Sequence, residues 1–163
     1  MPATLLYYAL RRDELCRLKL KDFKNERRGV AHLKVSGTGG KTRCVPLHPA
    51  ASGCVLDYLE AAGHLGEDGG ALCRGVHHDR VEGSQKAITA DAVYKIVRGY
   101  SKALGFEIRA HSLRATAATN ALDHQADVAN VQEWLGHANI ATTRIYDHRK
   151  TRAENSPTFK VAY

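Results

Sequence analysis

The chain lacks most of the features that would mark a membrane, secreted or metal-bound protein. No stretch approaches the roughly 20 consecutive apolar residues that a membrane helix needs. The opening MPATLLYYALRR has a short apolar run with no basic stretch ahead of it, so it does not read as a secretory signal. Its four cysteines (Cys16, Cys44, Cys54 and Cys73) are scattered and form no C-x-x-C pair. They read as reduced cytosolic thiols and not as a disulfide frame or a zinc site. No internal repeat or low-complexity tract is present. Negative charge is also in short supply: 17 acidic residues face 24 Lys and Arg, a formal charge of +7 and a pI near 9.4. A soluble, basic, intracellular domain remains, and its excess of cations fits a polyanionic partner.

At 163 residues the chain is the size of one ordinary domain, and 44% hydrophobic against 25% charged residues makes a packed core feasible. Residues 4–20 carry leucine and alanine largely at helical spacing, which predicts one helix or two short ones. From Val30 the period becomes two, with Ala31, Leu33 and Val35 alternating with His32 and Lys34. A Gly-rich turn and residues 41–45 complete a β-hairpin that Pro46 ends or places at an edge. Residues 22–24 are a candidate third strand. Residues 49–62 predict a helix stopped by Gly63, and residues 63–86 a surface loop with a short extended piece near 71–73. Thr89 caps a helix to Leu104, with Val93, Ile96, Val97, Tyr100 and Leu104 as its expected buried stripe and Gly105 beyond its end. Three short helices follow at 112–122, 127–135 and 140–147. The fold class is mainly α with a small antiparallel β-sheet (α+β).

The residues richest in chemistry lie between His111 and Tyr146. His111 and Arg114 stand three apart at the start of a helix, so both can project from one face. Gly136 ends a later helix and releases His137 into a turn, and Tyr146 stands nine residues on. Near the start, Arg11 and Glu14 repeat the three-residue spacing, which lets the carboxylate hold the guanidinium by a bidentate contact. Taken singly, each has a plain explanation as a solvated surface residue, an ordinary surface ion pair or, for Tyr146, core packing.

Together they form a pattern. LLYYALRRDEL (5–15), VSGTGGKTRCVPL (35–47), HSLRATAATN (111–120) and EWLGHANIATTRIYD (133–147) resemble, in order, the blocks of the tyrosine site-specific recombinases, also called phage integrases. The resemblance implies the recombinase catalytic-domain fold. It makes Arg11 the first catalytic arginine, with Arg12 the alternative register, and Glu14 its acidic support. It makes His111 and Arg114 the H-x-x-R pair, His137 the second histidine, and Tyr146 the nucleophile that attacks a DNA phosphodiester to leave a 3′-phosphotyrosine. Ala9 stands where the family has glycine. No metal and no cofactor is required. The implied partners are double-stranded DNA and further copies of the protein, as a tetramer on DNA, in the cytoplasm of a bacterium or encoded by a phage.

Two departures bear on activity. The family's hairpin turn reads G-K-G, and its lysine is the general acid for the leaving 5′-oxygen; here Thr38 holds that position, and a threonine hydroxyl is too weak an acid to replace it. Lys41 is the candidate substitute, with a phosphate-contacting or solvated side chain as the alternative. Lys34, Lys41 and Arg43 are expected to line a duplex-facing side of the hairpin. The second departure is that Arg11 lies near the start, so residues 1–163 read as a single catalytic domain without the N-terminal core-binding domain. The tail 154–163 is expected to dock on a neighbouring protomer, with a disordered terminus or a strand packed in cis as the alternatives. His77, His78 and Asp79 read as a solvated loop and not as a metal site. Two other functions remain open: a DNA-binding relic without activity, and a DNA-relaxing enzyme of the type IB topoisomerase kind.

Overall fold

The computed structural model describes residues 1–75, 85–149, 156 and 158, without the Thr38 side chain. The His77–Asp79 cluster and the docking tail, apart from positions 156 and 158, lie outside those residues. In chain order the elements are α1 (Pro2–Tyr7), α2 (Arg12–Arg17), α3 (Leu20–Phe23), β1 (Asn25–Arg27), β2 (Val30–Ser36) and β3 (Thr42–Pro46), then α4 (Pro49–Ala61), α5 (Ala90–Leu104), α6 (Ala110–Asp123), α7 (Val128–Leu135) and α8 (Ala141–Arg144). The α+β class read from the sequence is the observed one.

The first segment is three short helices, not one or two. Ala9 breaks it by adopting φ 46°, in the left-handed region, and Leu18 breaks it again with extended backbone. The third strand lies three residues beyond its expected place. Residues 20–23 are helical because the Asp22 carboxylate accepts the Lys19 amide at 2.9 Å and caps that turn. The antiparallel sheet has the order β1-β2-β3, so β3 is an edge and tolerates Pro46 at its end.

Period two decides which hairpin residues face inward. Leu33 and Val35 on β2 are buried and stand opposite Val45 and Arg43, so Arg43 shares the inner face of β3 with Val45. Lys34 is exposed on the other face.

Two apolar clusters result. The larger joins Leu5, Leu10, Leu15 and Leu20 to Leu33, Val35, Val45, Val55, Leu59, Val93 and Val97. The smaller is built from Ala9, Ala117, Ala118, Leu122, Val131 and Leu135, with Tyr146 packed at its margin. Thr89 caps α5 as expected, its hydroxyl accepting the Ala92 amide at 3.2 Å, and Gly105 ends it. The buried stripe of α5 is narrower than the sequence suggests. Val93, Val97 and Ser101 face the core, whereas Ile96, Tyr100 and Leu104 are 40%, 54% and 58% exposed. One i, i+4, i+8 row of this helix is fully covered, while Ile96 and Tyr100 line an open concavity against α1 and α4.

Candidate active site

The site is organised around one buried carboxylate. Arg11 is the N-cap of α2 and Glu14 its third residue, so Glu14 turns back and accepts the Arg11 amide at 2.8 Å on Oε2. Arg11 Nη1 donates to Oε1 at 3.0 Å. The bidentate partner, however, is Arg43, whose Nη1 and Nη2 donate to Oε1 and Oε2 at 2.8 and 2.9 Å. Arg114 Nη1 stands 4.0 Å from Oε2. Three guanidinium groups, from the cap of α2, from β3 and from α6, therefore surround a side chain that is 1% exposed. Burial alone would raise the Glu14 pKa, but the hydrogen bonds from Arg43 and Arg11 outweigh it and hold the value at about 2.

Arg43 corrects the sequence reading. It does not extend beside Lys34 towards a duplex; its side chain is 12% exposed and both terminal nitrogens are committed to Glu14. The signal was present in the alternation of Arg43 with Val45, but the partner lies 29 residues away.

Arg114 is held differently. Its Nη1 and Nη2 donate to the carbonyls of Ala9 and Leu135. The left-handed Ala9 thus turns its carbonyl onto a catalytic candidate. Burial, followed by the charge of Arg11, brings the Arg114 pKa down to about 10, which leaves it a cation at neutral pH. His111, one helical turn earlier, is exposed. It lines a concavity of about 420 Å³ together with Arg11, Arg12, Arg109 and Arg114.

His137 follows Gly136, which ends α7 at φ 67°. That positive φ favours glycine, and the position packs close to Arg43, whose Cδ and Nη1 would lie 3.4 Å from a Cβ. Thr143, fully buried, places its Oγ1 3.0 Å from His137 Nδ1, so the other ring nitrogen is the one left for a ligand. Burial and the surrounding guanidinium charges push the His137 pKa down to about 4. The ring is neutral at physiological pH and can donate one hydrogen bond. Tyr146, half-buried, stacks on it with ring centroids 6.3 Å apart at 30°.

A second concavity, of about 580 Å³, is lined by Arg11, Gly37, Lys41, Arg43, Gly136, His137 and Thr142 among others. Arg11 borders both concavities. Tyr146 borders neither and joins the site through His137. Lys41 is exposed at the mouth, and Lys34 is not part of the site. The carbonyls of Ala9 and Leu135 were not legible as site elements, because their partner Arg114 is distant in sequence, and Thr143 was not because its contact with His137 depends on the turn between them. Among the described residues no group of three His, Cys, Asp or Glu could hold a metal ion, and no described helix is long and apolar enough to cross a membrane.

Two arginines, two histidines and a tyrosine thus gather on neighbouring elements of an α+β domain. The profile of the phage integrase family matches residues 3–152. The tyrosine recombinase XerC of Corynebacterium glutamicum is 38% identical over 146 residues, which is 88% of this chain and 44% of the relative. The XerA protein of Pyrococcus horikoshii is 31% identical over 149 residues, 91% of this chain and 49% of the relative. Among solved structures, XerA recombinase superposes with a TM-score of 0.73 at 26% identity, covering 99% of this chain and 57% of the other. XerH, solved in a pre-cleavage complex with its difH substrate, gives 0.70 at 28% identity over 91% of this chain and 42% of the other. The chain belongs to the phage integrase family. It spans less than half the length of the XerC relative.

Proposed function

We propose that this chain cleaves and rejoins DNA strands in site-specific recombination, through a covalent link at Tyr146. The observation that carries the reading is the convergence of Arg11 and Arg114 on Glu14, with His137 in the field of both guanidinium groups and the Tyr146 ring stacked on it. In the reaction Tyr146 Oη attacks the phosphorus and forms the 3′-phosphotyrosine, while the bond from phosphorus to the 5′-oxygen breaks. The tyrosine proton passes towards His111 or water, and the 5′-oxygen takes a proton from the Lys41 ammonium. The phosphoester bond energy is retained in the link, so rejoining to another 5′-hydroxyl needs no external energy source. Negative charge that develops on the non-bridging oxygens is met by the fixed forks of Arg11 and Arg114 and by the neutral His137 ring. A preorganised cluster of cations, already oriented by Glu14 and by backbone carbonyls, needs little reorganisation when that charge appears.

Double-stranded DNA is the substrate in this reading. The relatives' greater length leaves room for a core-binding domain that grips the duplex from the other side, and recombination itself takes four copies on DNA. The cytoplasm is where such a protein meets its substrate.

The test is covalent capture from a pool of nicked duplexes of random sequence. The parent protein is expected to yield a denaturation-resistant protein–DNA adduct, and Tyr146→Phe none. Failure of the parent to form any adduct, under conditions in which it binds duplex, would favour a relic without chemistry.

A further inference from the structure

We propose that Arg43 is a positioning residue for the general acid: by clamping β3 onto Glu14 it holds the hairpin turn, and with it Lys41, at the mouth of the site. The inference rests on the reading of Lys41 as the proton donor.

The geometry converges on the base of the turn. Arg43 donates both terminal nitrogens to Glu14, and its third nitrogen, Nε, is buried without a hydrogen-bond partner. Two residues before Arg43 on the same strand side of the turn, the Lys41 carbonyl accepts the Gly37 amide at 2.7 Å, which closes the turn. A Cβ on Gly37 would meet the Lys41 carbonyl oxygen at 3.3 Å, Glu14 Oε1 at 3.7 Å and Arg43 Nη1 at 3.9 Å. The backbone that closes the turn therefore lies directly on the Glu14–Arg43 ion pair. On the far side, the Arg43 stem passes against Gly136, next to His137. One guanidinium thus ties the hairpin to the carboxylate that holds Arg11 and to the turn that carries His137. Gly37, Lys41 and Arg43 line the same concavity as those two residues.

The family's lysine position is Thr38, in the turn itself, whereas Lys41 immediately precedes β3. An acid on the residue joined directly to β3 moves with that strand, and β3 is an edge strand whose inward anchor near the site is Arg43. A lysine in the same place keeps the charge but lacks the planar fork that fits both carboxylate oxygens.

The experiment uses a duplex recovered by the covalent capture above, made with either oxygen or sulfur at the 5′-bridging position of the scissile phosphate. A leaving thiolate, whose conjugate acid has a pKa of about 8.5, departs without a proton donor. On the oxygen duplex, Lys41→Ala is expected to cut cleavage by ~10²–10⁴-fold. Arg43→Lys is expected to cut it by roughly 10²-fold, the effect of a misplaced catalytic group. On the sulfur duplex both variants should approach the parent rate. If Lys41→Ala is not rescued by sulfur, Lys41 is not the acid and the reading beneath the inference fails. If Lys41→Ala is rescued and Arg43→Lys is not, the positioning role is overturned and Arg43 acts on the phosphate side through Arg11. A second measurement needs no activity: the Gly37 amide should exchange its hydrogen about tenfold faster in folded Arg43→Lys, as the loss of one net hydrogen bond allows. An unchanged Gly37 exchange rate also overturns the proposal.

Discussion

The two sides of the site hold their cations by different means. On the α2–β3 side, Arg11 and Arg43 are fixed by charge, through a carboxylate buried beside the larger core. On the α6–α8 side, Arg114 is fixed by two backbone carbonyls and His137 by a hydroxyl, over a small alanine-rich cluster. The first arrangement is strong but brittle, because removing either partner leaves a buried charge uncompensated. The second uses neutral acceptors, and the charge of Arg114 is balanced only more loosely, by Glu14 Oε2 at 4.0 Å from its Nη1. Burial keeps His137 neutral, and the charges of Arg114, Arg11 and Arg43 add to that effect from both sides.

Substitutions can break this contrast. The largest effect is expected from Glu14→Ala, which leaves Arg43 and Arg114 in low dielectric with no anion between them. Chemical denaturation should show a loss of about 3–5 kcal/mol, the usual result of orphaning a buried charge. On the opposite side Thr143→Val removes one hydrogen bond from a half-buried ring and should cost only about 1 kcal/mol. Equal losses for the two variants would show that the two sides do not differ in kind.

Acid separates them by pH instead. His137 is held below its ordinary 6.5, at about 4, so only the unfolded chain gains that proton between those values, and stability falls as pH drops through that window. Glu14 is held at about 2 against an ordinary 4.5, so its contribution is complete above 4.5 and is lost as pH falls towards 2. Denaturation midpoints measured from pH 7 to pH 2 should decline over both windows. His137→Gln should flatten only the upper one.

The smallest change belongs to Ala9. Its left-handed backbone costs roughly 1–2 kcal/mol relative to glycine, while its buried methyl contributes roughly 0.8 kcal/mol. Ala9→Gly should therefore alter stability by no more than about 1 kcal/mol and leave the Arg114 contact in place. A large loss of stability would mean that the methyl, as part of the smaller cluster, contributes more than the strain it accompanies.

Much of this was legible in the chain itself. Thr89, Asp127 and Gly136 set helix ends through local hydrogen bonds and a positive φ, so neighbouring residues suffice to read them. The spacing of Arg11, His111, Arg114, His137 and Tyr146 carried the family resemblance because the chemistry ties residue types to positions. The period of the hairpin contained the inward direction of Arg43. Other features were not local. Ile96, Tyr100 and Leu104 are as apolar as their buried neighbours on α5, and only the placement of the other helices left them exposed. The Glu14–Arg43 pair joins residues 29 apart, and Arg114 meets a carbonyl 105 positions away.

Short-range sterics, periodicity and residue type were enough to read most of the helices, the hairpin and the identity of the chemical groups, although not the breaks at Ala9 and Leu18. Which partner each charge would find was settled by the packing of the whole fold. Burying a guanidinium or a carboxylate is tolerable only where donors and acceptors from distant segments meet it, and that meeting is a property of the packed fold and not of any segment alone.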